Sequence, residues 1–288
     1  MKDLFRRYLP ARFRKEETVI PVVRLQGTIM AGGSQFRPAL NLASVAPALE
    51  KAFASKKSSA VAIVVNSPGG SPVQSRLIYR RIRDLAAEHN KKVYVFAEDV
   101  AASGGYMIAL AGDVIIADET SIVGSIGVVS GGFGFPELLK KIGVERRVYT
   151  AGENKAILDP FQPEKEADIE YLKTLQLEIH KVFIDMVKQR RGSKLVDDLT
   201  IFSGLFWTGV KAKELGLIDG LGHAREVLRR DFGDKVKLEL VSGQRSLFGR
   251  RVPGVNVGSD IGAAAGEGAI AALAQTAEDK ALWGRFGL

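Results

Sequence analysis

The chain has 288 residues, 46% of them hydrophobic and 26% charged, enough to bury a full core in one large domain or two small ones. It contains no cysteine and three widely separated histidines (His89, His180, His223), which leaves no disulfide framework or thiolate metal site and makes zinc chemistry a poor fit. The net charge of +8 points to anionic surroundings, and because no nucleic-acid-reading motif accompanies it, a membrane surface or simple solubility is the better reading.

The first 17 residues mix Leu4, Phe5, Tyr8, Leu9 and Phe13 with Arg6, Arg7, Arg12, Arg14 and Lys15. They form either a short basic interfacial segment or a solvated tail. They lack the apolar centre of a secretory signal, and no window reaches the ~20 apolar residues of a spanning helix. The expectation is a chain that is cytoplasmic or peripheral to the inner face of a membrane.

A β-rich run from Thr18 to Leu25 leads to the flexible Ala31-Gly-Gly-Ser34. Asn41 to Ala54 predicts a helix with Leu42, Val45, Ala46, Leu49 and Phe53 on one face. The all-apolar run Ala60 to Val65 predicts a buried strand that stops at Asn66-Ser-Pro-Gly-Gly70. A helix over Val73 to Glu88 follows, then a strand over Val93 to Ala97, a turn holding Ser103, an apolar helix over Tyr106 to Ala111 and a strand over Val114 to Ala117. Two strand–turn–helix units with nearly all-apolar strands predict a parallel sheet covered on both faces.

Ser121 to Gly134, rich in Gly, Ser and Val, is expected to weave strand and loop near the site. A short helix over Pro136 to Ile142 and a strand over Val144 to Thr150 come next. The longest helix is predicted from Pro163 to Arg191, with acidic residues at its start and basic ones at its end, as the helix dipole prefers. Its stripe of Leu172, Leu175, Ile179, Phe183 and Met186 is expected to face the core. A short helix at Thr208–Gly216, a further one after Gly222 and a strand over Lys235 to Val241 complete the domain at 18–242. Residues 243–288, rich in Gly, Ala and Ser, read as an appendage, expected to be partly disordered and helical from Ile261 to Ala277.

Two loops carry the chemistry. Ser103 lies between Ala101-Ala102 and Gly104-Gly105 on a strand-to-helix turn, which turns a hydroxyl outward with room for a substrate backbone. The commoner use of such a serine is as a helix N-cap. The loop with Pro68, Gly69 and Gly70 sits at the carboxyl end of a neighbouring strand, where open α/β sheets place their sites, and its amides suit a developing oxyanion. A serine nucleophile needs a base, and no histidine sits in a site-like context. A lysine can serve if it loses ~3 units from a solution pKa of ~10.4. Lys155, in the loop Ala151 to Pro160, is one candidate among many lysines, and position alone does not select it.

Five motifs, in order, decide the matter by likeness: Asn66-Ser-Pro-Gly-Gly70; Ala101-Ala-Ser-Gly-Gly-Tyr106; Thr120-Ser-Ile-Val-Gly-Ser-Ile-Gly-Val128; Gly152-Glu-Asn-Lys155; and Thr208-Gly-Val-Lys-Ala-Lys-Glu-Leu-Gly-Leu-Ile-Asp219. Over roughly residues 19–232 the chain resembles the signal peptide peptidase A family. These are serine peptidases with a Ser-Lys dyad on the α/β fold shared by the Clp protease subunit and crotonases, a parallel sheet with flanking helices.

The resemblance implies Ser103 as nucleophile, Lys155 as general base, and the Gly70 and Gly104 N–H groups as oxyanion hole. It further implies Ser125 as a hydroxyl assisting the lysine and Pro68-Gly69 as substrate-binding backbone. No cofactor or metal is implied. The substrate would be a peptide, a signal-peptide remnant or an unfolded protein. The assembly would be a homo-oligomeric ring of single-unit chains, with peripheral membrane contact and no nucleic acid. The N-terminal membrane anchor usual in the family has no counterpart here, nor does the family supply one for the Gly/Ala-rich tail. Two other functions stay in view: a crotonase-like acyl-CoA enzyme, which needs a carboxylate at the site, and a catalytically silent membrane-associated scaffold.

Overall fold

The computed structural model describes residues 18–32, 39–242, 276–277 and 280–288. The expectations for the basic tail at 1–17 and for most of the helix at 261–277 fall outside these residues, as do Gly33 and Ser34. Eight strands form one sheet: β1 (Val19–Gln26), β2 (Ala60–Ser67), β3 (Lys92–Ala102), β4 (Val114–Ala117), β5 (Ile122–Gly124), β6 (Phe206–Thr208), β7 (Gly220–Leu221) and β8 (Lys237–Leu240). Their order is β6-β5-β3-β2-β1-β8, and β4 pairs with both β3 and β7. Every pairing is parallel except β5 with β6. Helices α1 (Leu42–Phe53), α2 (Pro72–Glu88), α3 (Gly104–Ala109), α4 (Pro136–Lys141), α5 (Glu166–Arg191), α6 (Gly209–Glu214) and α7 (Ala224–Phe232) flank it. This is the mixed α/β class expected from the sequence, consistent with the Clp protease/crotonase-like arrangement.

Alternation along the central strands decides what covers each face. In β2, which is buried throughout, Val61, Ile63 and Val65 join Leu49, Phe53, Ile78 and Ile82 of α1 and α2 in the main core. Ala60, Ala62 and Val64 point the other way, with Tyr94, Phe96 and the α7 residues Val227 and Leu228. A continuous apolar run is what a strand buried on two faces requires. Capping fixes the helix starts: Asn41 and Ser44 form a reciprocal box at α1, and Ser71 with Pro72 at N1 opens α2.

The feature that positions the site is the length of β3. Its first half pairs with β4 (Tyr94 to Ala97) and its second half with β5 (Val100 to Ala102). Between them the register against β2 slips, from Val65↔Ala97 to Ser67↔Ala101. Asn66 secures the slip, donating to Asp99 Oδ2 at 2.6 Å and accepting from the Val100 N–H at 3.2 Å. The bulge re-aims the end of β3 so that the chain turns at Ser103.

Three expectations need correction. Residues 144–150 form no strand; they are exposed coil. The apolar Val144 and Val148 flank the charged Glu145, Arg146 and Arg147, and none of the eight strands pairs with this stretch. The long helix begins at Glu166 rather than Pro163, with Lys165 extended at its N-cap. Its apolar stripe is only partly core. Phe183, Met186 and Val187 are buried, while Leu175 and Ile179 are exposed, because only the last turns of this 26-residue helix lie over the body of the domain. Its end is anchored by Arg191, which is buried and bonds Gly216 O and both oxygens of Asp219.

Candidate active site

Ser103 leaves β3 with φ 52° and ψ −121°, a left-handed conformation rare for a residue with a side chain. It stands at the N-cap position of α3, yet its side chain makes no capping hydrogen bond. The N-cap use is thereby set aside, and the hydroxyl is free for other work. The backbone holds it in place: Ser103 N–H donates to Gly124 O at 2.8 Å, and Met107 N–H donates to Ser103 O at 3.0 Å. Tyr106 pins α3 from below, its buried hydroxyl donating to Leu217 O at 2.7 Å. Burial pushes that phenol well above its ordinary pKa, so it stays a neutral donor.

The Gly69-Gly70 loop lies against Ser103. Ile29 grips it from both sides: Ile29 N–H donates to Gly69 O at 2.8 Å, and Ser71 N–H donates to Ile29 O at 2.7 Å. Both bonds use the neighbours of Gly70, so its own N–H is not spent on this bridge. Gly70 has φ +132°, and a Cβ there would stand 2.1 Å from Ile29 O, so only glycine fits. Gly69 N–H bonds Ser67 Oγ at 3.2 Å.

Ser103, Gly70 and Gly104 line one small cavity together with Pro72, Met107, Gly127, Val128, Ile179 and Phe183. Of the positions read from the sequence, Ser103, the candidate nucleophile, and both amide-bearing glycines thus line one cavity. Ser125 is close along the chain to this group: it is buried, follows Gly124, has φ 54° and donates its N–H to Leu205 O at 2.7 Å. Lys155 is not brought into the cavity. It is exposed on the turn after Gly152 and its N–H bonds Gly152 O at 3.2 Å. No histidine lines the cavity either; the nearest in role, His180, donates Nε2–H to Ile126 O at 3.0 Å and so braces the loop after Ser125.

Sequence reasoning assigned Ile179 and Phe183 to the core; Phe183 is buried there and also lines this cavity, whereas Ile179 is exposed and forms part of the cavity wall. It also missed Asn66 as the clamp between the two loops; a buried amide at the end of an apolar strand was the available signal. Among the described residues no group of three or more His, Asp or Glu side chains is placed to hold a metal ion.

The family model of peptidase family S49 matches residues 86–236, which carry Ser103, Ser125 and Lys155. The chain belongs to peptidase family S49. Among its S49 relatives, the Haemophilus influenzae protein named Protease 4 is 32% identical over 73% of this chain and 34% of its own length. The Arabidopsis thaliana Serine protease SPPA, chloroplastic, is 36% identical over 58% of this chain and 25% of its own. A Brucella abortus protein named Na(+)/H(+) antiporter NhaA is 66% identical over the whole of this chain, which spans only 39% of that protein. That aligned stretch includes the S49 region. Among the described residues no helix is long and apolar enough to cross a membrane.

Proposed function

We propose that this S49 chain is a serine endopeptidase that cuts peptides, signal-peptide remnants or unfolded segments through an acyl-enzyme on Ser103. The observation that carries the reading is the strained, uncapped Ser103 facing the same cavity as Gly70 and Gly104. In the reaction, Ser103 Oγ attacks the peptide carbonyl carbon as its proton passes to the neutral Nζ of Lys155. The carbonyl oxygen, now an oxyanion, is held by the Gly70 and Gly104 N–H groups; one such donor typically contributes about 3–4 kcal/mol. Collapse of the intermediate breaks the C–N bond, and the lysine returns its proton to the leaving amine. Water, deprotonated by the same lysine, then hydrolyses the ester and restores Ser103. Ser125 hydrogen-bonds the lysine amine and aims it.

Lys155 is exposed and absent from the Ser103 cavity, which supports a dyad completed between neighbouring copies of the chain in a ring. The charge of +8 and the likeness to a protein named for Na(+)/H(+) antiport, an exchange across a membrane, support work at an anionic membrane surface. The test is labelling with a serine-directed phosphonylating reagent, followed by mapping of the modified residue and hydrolysis of an unfolded polypeptide. Labelling at Ser103 with loss of hydrolysis is expected. Hydrolysis that survives full modification of Ser103 overturns the reading.

A further inference from the structure

The chain leaves the sheet at β8, on one edge, and its last residues come back to the opposite edge at β6. There a short helical segment at 280–284 runs into a turn at 285–287, with Arg285 N–H donating to Ala281 O at 3.2 Å and Phe286 N–H to Trp283 O at 2.9 Å. It presents two aromatic rings. Phe286 is buried and meets Phe206 of β6 edge to face, with ring centroids 5.0 Å apart. Phe286 and the half-buried Trp283 cover Val100 and Ala102 of β3 and Ile122 of β5.

Those three residues belong to the layer that carries the site. Val100 pairs with Ile122, Ala102 with Gly124, and Gly124 with Phe206. Ser103 follows Ala102 directly, and its N–H is bonded to Gly124 O. Along β3 the alternation sends Ala101 into the main core and Val100 and Ala102 to the other face. Among the described residues, the apolar cover of that other face comes from Phe286 and Trp283. Ser103 (φ 52°) and Ser125 (φ 54°) directly follow β3 and β5 in a conformation that costs on the order of 1–3 kcal/mol, and it persists only where the surroundings over-determine it.

We propose that Phe286 and Trp283 are positioning residues for Ser103, clamping the β3–β5–β6 layer from behind so that the nucleophile turn keeps its strained geometry. The proposal rests on Ser103 being the nucleophile. The C-terminal turn touches no substrate; it acts through Ala102, Ile122 and Phe206 on the Ser103–Gly124 bond. An attacking oxygen displaced by about 1 Å loses on the order of a hundredfold in rate, so a loosened layer is enough to be felt in the chemical step.

The test compares full-length wild type, Phe286→Ala, Phe286→Leu and Trp283→Leu in two measurements. One is the rate at which a small serine-directed phosphonylating reagent modifies Ser103, which reads the nucleophile without a substrate groove. The other is kcat and KM on an unfolded polypeptide. Phe286→Ala is expected to lower both the modification rate and kcat by about tenfold or more with KM within about threefold, and Phe286→Leu, which refills the apolar space, to recover most of the loss. Wild-type rates in Phe286→Ala, or a loss that Phe286→Leu does not recover at all, overturn the proposal. Should Phe286→Ala not fold, Trp283→Leu carries the test: a slower modification of Ser103 supports the clamp and an unchanged one overturns it. A wild-type chain that the reagent does not label at Ser103 would instead strike the nucleophile assignment, a different result from labelling that ignores Phe286.

Discussion

Gly69 and Ser103 approach so closely that a Cβ on the glycine would stand 2.8 Å from Ser103 Cβ and 2.9 Å from Gly104 N. The Gly69-Gly70 loop and the Ser103 turn are therefore one packed unit, although Gly69 and Ser103 lie 34 positions apart in the sequence. Gly69 also has φ +105° and Gly70 φ +132°, so side chains at either position are strained as well as crowded.

Gly69→Ala and Gly70→Ala should each abolish hydrolysis. The alanine at 69 pushes Ser103 and Gly104 away from the loop, and the alanine at 70 breaks the grip of Ile29. The loss of stability should exceed about 1 kcal/mol, since alanine is being forced to a positive φ. Thermal unfolding of the two variants alongside hydrolysis of an unfolded substrate checks this. Near-wild-type activity in Gly69→Ala would mean the two loops do not act together.

Ser103→Ala and Lys155→Ala should each remove hydrolysis while leaving the melting temperature within the scatter of wild type, because neither side chain holds a hydrogen bond in the fold described above. The wild-type rate should climb from neutral into alkaline pH, since an amine base works only when unprotonated. A rate flat down to about pH 5 is incompatible with a lysine base, whose pKa rarely falls that low even when buried. Activity above a few per cent in Lys155→Ala would move the base to another lysine.

The sheet was legible because its strands are apolar on both faces: Ala60 to Val65 and Val93 to Ala97 have no reading as surface helices. Ser103 was legible through its small neighbours, and Gly70 through the Pro-Gly-Gly turn. The extent of β3 was not. Glu98 and Asp99 look like the end of a strand, yet the chain continues through a bulge to Ala102, held by Asn66 and by Arg24, whose Nε and Nη2 both donate to Glu98 Oε2. Long-range side-chain clamps of this kind leave no local period to read. Nor does the return of Phe286 to β3, since Trp283 and Phe286 at the end of a Gly/Ala-rich stretch set up no period. The α5 stripe misled for the opposite reason: its period is regular, but periodicity does not tell which part of a long helix lies over the core and which faces elsewhere.

Asp219 joins the buried Arg191 and the exposed Lys194 in one ion cluster, and its removal should be felt in stability. Burial alone would raise its carboxyl pKa, but hydrogen bonds from Arg191, Lys194 and the Ile115 N–H hold it below the usual carboxylate range. A carboxyl depressed in the folded state contributes stability that is present above its unfolded pKa of about 3.9 and is lost as pH falls through the lower folded value. Asp219→Asn leaves Arg191, whose side chain is 2% exposed, as an unpaired buried charge, at a cost of about 3–5 kcal/mol near pH 7. The variant should also lose stability less steeply than wild type as pH falls below about 4. Denaturant unfolding at neutral pH and at pH near 3 separates the two effects, and a variant as stable as wild type at neutral pH would show that the cluster contributes nothing.

The last prediction concerns how Ser103 and Lys155 meet. The arm that carries Lys155, from Val129 to Phe161, exposes Phe133 at 78%, Tyr149 at 90%, Val129 at 70% and Ile142 at 61%, and α5 beside it exposes Leu177 at 67%. So many large apolar side chains left in water along one segment point to a surface that another protein covers. A second copy of the chain is the economical occupant, since docking would bury these residues and deliver Lys155 to a cavity that already holds Ser103, Gly70 and Gly104. Ser103→Ala and Lys155→Ala subunits, each inactive alone, should therefore regain activity when mixed, because some interfaces then pair an intact Ser103 with an intact Lys155. The recovered fraction should follow the mixing ratio and stay well below wild type. Tyr149→Asp, which puts a charge into the apolar arm, should shift the chain toward monomer in sedimentation and reduce hydrolysis in parallel. If subunit exchange is verified with tagged chains and the mixture stays silent, the serine and its base belong to one chain, and the exposed arm serves some other contact.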